Sequence, residues 1–222
     1  MERRSKLDKK RIIAGILGRL SQRRLEEFRQ YTQELEAKFN TDKNKLSAAY
    51  DETIKGLNED EITEITEYFA EDFHFIEEIY IGMYRKSTLV SLYSFLENAL
   101  NTLCRKLYSI NNYPVELEVI RGEGIVRARE YLEKLSKIDF SQLNNEWCNL
   151  LSLNKLRNCI VHCEGNIKLS NSLKKLKNII NNRHDLSLRN EKYIKIDRDY
   201  IDFSITQISN FLEKLYQQAF PK

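Results

Sequence analysis

Arg157, Asn158 and His162 are polar residues set in a strongly apolar run, and their types suit chemistry on a phosphodiester. Histidine titrates near neutrality and can take or give a proton. Arginine is a permanently charged planar fork that matches phosphate oxygens. Asparagine can orient the histidine or donate to the phosphate without adding charge. RNA is cut without metal when a base removes the 2′-hydroxyl proton and the freed oxygen attacks the adjacent phosphate. An acid must then protonate the leaving 5′-oxygen while a cation stabilises the extra charge on phosphorus. The chain carries one such histidine in this motif, so two protomers would be needed to fill both proton-transfer roles.

The element that must position these residues is a helix. Leu150, Leu153, Leu156 and Ile160 recur at three- and four-residue steps, which predicts an amphipathic helix with one buried stripe. Gly165 is a stop signal, so His162 is expected in the last turn. Asn158 and His162 are four apart and share a face. Arg157 and His162 are five apart, about 140° around the helix and about 7.5 Å along it. Arg157 can therefore approach the same site only by curling across, or by acting jointly with a second copy of the chain.

The rest of the chain predicts an all-α fold. Its 222 residues suit one domain, or one domain with an extension, and contain only two prolines and seven glycines. A net charge of +3 is too small for the total to point to nucleic-acid binding, which would have to show in the distribution of charge instead. The four cysteines are dispersed, no convincing secretory signal precedes them, and no stretch approaches a membrane span. These features predict a cytoplasmic protein with reduced thiols.

Residues 1–58 read as a basic helical extension. Arg3, Arg4, Lys6, Lys9, Lys10, Arg11, Arg19, Arg23, Arg24 and Arg29 outnumber Glu2, Asp8, Glu26 and Glu27. Such a helix could touch RNA, lipid or a partner, or be a solvated face packed on the body through Ile13, Leu17, Leu20 and Leu25. Phe39 to Asp42 reads as a turn. Asn58 is the expected N-cap of a second helix, whose buried stripe would be Ile62, Ile65, Phe69, Phe73, Ile76 and Ile79. Its other face is acidic, with no Lys or Arg between Glu59 and Tyr84, and His74 reads as structural among aromatics. Ser87 to Tyr108 predicts a strong core helix with Glu97 in its middle. Gly122-Glu123-Gly124 reads as a tight turn at a helix start; no Walker pattern follows it. Ser170 to Asn182 predicts a basic helix, alternation between 186 and 197 a small β-hairpin, and Tyr200 to Tyr216 a last helix. Between Lys168 and Arg198 nine basic residues face only Asp185, Glu191 and Asp197, which marks a positive surface.

The R-N-x-x-x-H pattern of Arg157 to His162, within Leu153 to Gly165, resembles the signature of the HEPN superfamily of helical domains. Leu89 to Leu107 resembles that family's first core helix, and Gly122 to Leu135 a connecting segment of some members. The resemblance implies an antiparallel helical bundle over residues 59–222 that works as a homodimer with its motif helices face to face. It also implies a metal-independent endoribonuclease, acting on RNA, of a toxin or anti-phage defence kind held by a regulatory or antitoxin partner. On the same ground Arg157 and His162 fall on the catalytic pair, Asn158 on the polar position between them, and Glu97 on an acidic residue that holds the arginine in some members.

Two other constellations are weaker. Cys159, His162 and Cys163 lack the further ligands of a closed zinc site. A thiol–His162 nucleophile pair lacks an orienting group. Neither metal nor cofactor is therefore expected, and the thiols read as buried. The rival to the nuclease is a non-catalytic module that docks a partner through the acidic 59–78 face and the basic N-terminus, or binds a nucleotide in the dimer cleft.

Overall fold

The computed structural model describes the backbone of residues 2–221 and the side chains of residues 10–221. The side chains of Arg3, Arg4, Lys6 and Lys9 lie outside the described residues. Among the described residues, seven α-helices and one two-stranded hairpin make up the fold, so the chain is all-α. None of these helices is long and apolar enough to cross a membrane.

The first helix, α1 (Glu2–Thr53), is 52 residues long, about 78 Å at 1.5 Å per residue. It runs straight through the expected turn at Phe39 to Asp42. Asp42 lies inside the helix and pairs with Lys38, one turn back, at 2.6 Å. Thr41 Oγ1 donates to the Ala37 carbonyl, and the Phe39 ring packs 5.8 Å from Tyr84. Turn-forming residue types are thus absorbed as i,i+4 partners within a continuous helix. Leu17, Leu25 and Phe28 join the main core, whereas Leu20, expected to pack, is exposed.

Gly56, in left-handed conformation, turns the chain into α2 (Glu59–His74). Asn58 caps it as expected, in a capping box: its side chain accepts from the Glu61 N–H and Glu61 accepts from the Asn58 N–H, each at 3.0 Å. Tyr50 pairs with Thr66 and Phe69, and Lys43 with Glu77, so α2 runs back antiparallel to α1. The stripe from Ile62 to Ile79 is only half-buried, with α1 the main element packed on it. His74 is exposed rather than enclosed by aromatics. A π-helical segment, Phe75–Tyr80, carries α2 without a break into α3 (Ile81–Asn111), which Asn112 ends in left-handed conformation.

α3 is the central helix and packs against α1, α7 (Arg198–Ala219), α5 (Asn144–Cys163) and α4 (Gly124–Lys134). Leu89, Leu92, Leu96, Leu100, Leu103 and Leu107, at three- and four-residue steps, are at most 1% exposed. Short 3-10 turns at Leu117–Val119, Phe140–Leu143 and Ile167–Leu169 link the later elements. The basic helix expected near 170–182 is α6 (Leu173–Asn181). The hairpin forms from β1 (Leu186–Arg189) and β2 (Tyr193–Ile196), with Leu186 opposite Ile196 and Arg189 opposite Tyr193. Arg85 of α3 fastens three elements: Nε and Nη2 donate to the Glu36 carboxylate of α1 at 2.8 and 2.9 Å, and Nη1 to the Ile196 carbonyl at 3.1 Å.

Candidate functional site

α5 ends as its sequence predicts. Leu150, Leu153 and Leu156 are buried against α3 and α7, and Trp147 packs against Phe140 and Phe211. Glu164 and Gly165 turn left-handed, and the Gly165 N–H donates back to the Cys159 carbonyl at 3.0 Å. Gly165 then passes the chain to the hairpin: its carbonyl accepts from Ile194 at 2.9 Å, and Ile167 donates to the Lys192 carbonyl at 2.9 Å. The last turn of α5, which carries His162, is thereby pinned to β2.

Arg157 is half-buried and points inward. Its guanidinium lies over the Tyr93 ring of α3, 5.3 Å from the centroid, and Nη1 donates to Asn158 Oδ1 at 2.9 Å. Asn158 therefore orients the arginine, not the histidine. Arg157 Nε is buried with no hydrogen-bond partner among the described residues. Glu97, one turn along α3 from Tyr93, makes no ion pair with Arg157 among the described residues, so the expected carboxylate clamp is replaced by an aromatic one. His162 is exposed at the helix end, and its side chain makes no hydrogen bond among the described residues. Within one chain the two motif residues are thus held apart, Arg157 turned in and His162 turned out.

The turn at Gly122 to Gly124 contributes to this arrangement. α4 begins at Gly124, as expected, with φ +56°. A Cβ there would stand 3.2 Å from Tyr93 Oη and 3.7 Å from Glu97 Oε1, so glycine lets the start of α4 close over both residues. The backbone at Ile125 faces the Tyr93 hydroxyl, so the first turn of α4 lies against it. Burial, then the charge of Glu97, push the Tyr93 hydroxyl up to about 12, so at neutral pH it is an uncharged platform for Arg157.

Two residues of this region were not singled out from sequence. One is Tyr93, expected only as core. The other is Lys86, seven residues before Tyr93 on α3, which reaches under the end of α5. A Cβ on Gly165 would stand 3.4 Å from Lys86 Nζ, in ordinary contact, so the ammonium lies directly against this turn. Burial, then the charge of Arg189, pull the Lys86 pKa down, while Cys159 and Glu78 act the other way without forming a salt bridge to it among the described residues. The sequence offered one signal: Lys86, Tyr93 and Glu97 fall on one face of α3.

The cysteines nearby behave as core groups. Burial, then the neighbouring Cys163, push the Cys159 thiol up to about 11, away from the thiolate a nucleophile needs. Among the described residues no three His, Cys, Asp or Glu side chains gather as a metal set. A groove of about 1010 Å3 between α1 and α7, lined by Ala14, Gly18, Leu212 and Tyr216 among others, contains neither Arg157 nor His162. Compared with known proteins, the chain matches no family model, no curated protein and no solved structure. Its function must therefore be inferred from the site's own geometry and from the motif.

Proposed function

We propose that the chain is a HEPN-like, metal-independent endoribonuclease that works as a homodimer. The observation that carries this reading is the fixed posture of Arg157: half-buried, stacked on Tyr93 and tied to Asn158, at the helix whose last turn exposes His162. An arginine held this way is a preorganised cation for a phosphate, since little side-chain freedom remains to be lost on binding. The unbonded, exposed imidazole is free to exchange protons with a substrate. Because one chain keeps Arg157 and His162 apart, the reading needs a second motif helix facing the first. One His162 then takes the 2′-hydroxyl proton and the other protonates the 5′-oxygen, leaving a 2′,3′-cyclic phosphate.

Such an enzyme must be restrained in a cell, which supports a toxin or defence effector held by a regulatory partner. The exposed carboxylates of α2 support a second reading, a docking module without catalysis.

The test is cleavage of labelled tRNA and single-stranded RNA in EDTA, with wild type beside Arg157→Ala and His162→Ala. Cleavage by wild type leaving cyclic phosphate ends, reduced about 100-fold or more in each variant, is the expected result. Equal cleavage by all three would sink the site assignment. Absence of cleavage across many RNAs would favour the docking module.

A further inference from the structure

Resting on the nuclease reading, we propose that Lys86 of α3, together with Arg189 and Lys192 of the hairpin, forms a second phosphodiester-binding subsite that holds the RNA backbone beside the scissile bond. Lys86 and Tyr93 are seven residues apart on one face of α3, two turns, or about 10 Å along the axis. Tyr93 underlies Arg157, and Lys86 underlies Gly165. α3 and α5 therefore run antiparallel along a single seam. That seam carries Arg157 near one end and Lys86 near the other, and on α5 His162 comes between Arg157 and Gly165.

The cationic end is built rather than incidental. Lys86 is half-buried, makes no salt bridge among the described residues, and lies against Gly165, the left-handed residue that ends α5. Leaving an ammonium partly dehydrated and unpaired is unfavourable, and an arriving anion removes the penalty. Arg189 acts on Lys86 as a like charge and adds positive potential to the same corner. It and Lys192 both lie over the Tyr193 ring, at 5.6 and 5.0 Å from the centroid. Glu78 lies in the same corner: it pairs with Lys195 at 2.6 Å and with Arg189 at 3.7 Å and also acts on Lys86, so one carboxylate is shared among three cations. The hairpin is bonded to the end of α5 through Gly165 and Lys192, so these cations keep a fixed relation to the turn that bears His162. A backbone anion is the ligand that fits: the corner offers several cations and no pocket deep enough to read a base.

The experiment measures binding of a fully 2′-O-methylated single-stranded RNA, which cannot be cleaved by 2′-oxygen attack, across a salt series. Wild type is compared with Lys86→Met, which keeps the aliphatic stem, with the Arg189→Ala/Lys192→Ala pair, and with Lys174→Ala on α6 as a control; thermal unfolding checks each fold. For every phosphate that the protein no longer neutralises, the slope of log affinity against log salt becomes shallower by about 0.7 for a single strand. The expected result is a change of about that size for Lys86→Met, a larger one for the hairpin pair, and none for the control. Wild-type slope and affinity in both test variants, or no salt-dependent binding by wild type, would overturn the subsite. The two readings fail separately. Wild type that binds through these residues but never cleaves RNA refutes the nuclease and keeps the subsite. Cleavage lost with Arg157→Ala but binding indifferent to Lys86 does the reverse.

Discussion

At the scale of single residues, the arginine of the motif lies over a tyrosine whose hydroxyl is covered closely by the start of another helix. Gly124 is the residue that permits this. Gly124→Ala places a methyl 3.2 Å from Tyr93 Oη at φ +56°, and the backbone strain alone costs about 1–2 kcal/mol. Urea unfolding of Gly124→Ala, Tyr93→Phe and the double variant measures the coupling. Removing the hydroxyl relieves the crowding, so the double variant is expected to lose less than the sum of the singles. Strict additivity would mean that Gly124 serves only its own backbone. The motif residues themselves were legible in the sequence because they are local: spacing put His162 in the last turn and left Arg157 off its face. Tyr93 and Lys86 were not, because their roles arise where α3 meets α5, and a single core-spaced stripe gives no sign of which members meet a cation or a glycine.

At the scale of elements, α2 is the weakly held helix. None of its residues is fully buried, so its capping box carries an unusual share of its stability. Asn58→Ala is expected to cost about 1 kcal/mol locally. Hydrogen exchange should register this as faster exchange through Glu59–His74, with little change in the Leu89 to Leu107 amides of α3. Equal acceleration in both helices would mean that α2 and the core open as one unit. The start of α2, the end of α3, the Gly124 turn, the hairpin and the stop at Gly165 could all be read from cap and turn chemistry. The expected turn at Phe39 to Asp42 could not. Asn, Thr and Asp favour turns only when their side chains bond to the backbone near a chain reversal. Here Thr41 and Asp42 find partners one turn back, and Phe39 has a core aromatic to reach.

At the scale of the whole molecule, stability should form a plateau between about pH 5 and pH 8. On the acid side, the Lys214 ammonium beside Glu146 and the Lys195 ammonium beside Glu78 hold those carboxyls low. Burial alone would raise Asp185, but the hydrogen bond and charge of Arg183 outweigh it. These groups contribute stability above their unfolded pKa values, about 4, and lose it as pH falls through the lower folded values. On the alkaline side, burial pushes the Cys104 thiol and the Tyr131 hydroxyl up to about 12, and Tyr84 and Tyr200 also upward. Their contribution is complete below the unfolded values, about 8.5 for the thiol and about 10 for tyrosine, and disappears as pH rises toward the folded ones. Urea midpoints measured from pH 3 to pH 11 should fall at both ends and stay flat between; a steep change between pH 6 and pH 7 would contradict this set of groups.

The π-helical segment at Phe75–Tyr80 has a mechanical meaning. A π turn accommodates one residue more than an α turn, so it acts as a phase shifter in the rod that runs from Glu59 to Asn111. Below it, the α3 leucines are in phase with the core; above it, the α2 stripe is in phase with α1. Were the extra residue absent, α2 would be turned by about 100° about the shared axis. Its carboxylates would then rotate toward α1 and its isoleucines toward water. The direction in which α2 presents its negative face is therefore set by a single inserted residue at its C-terminal end.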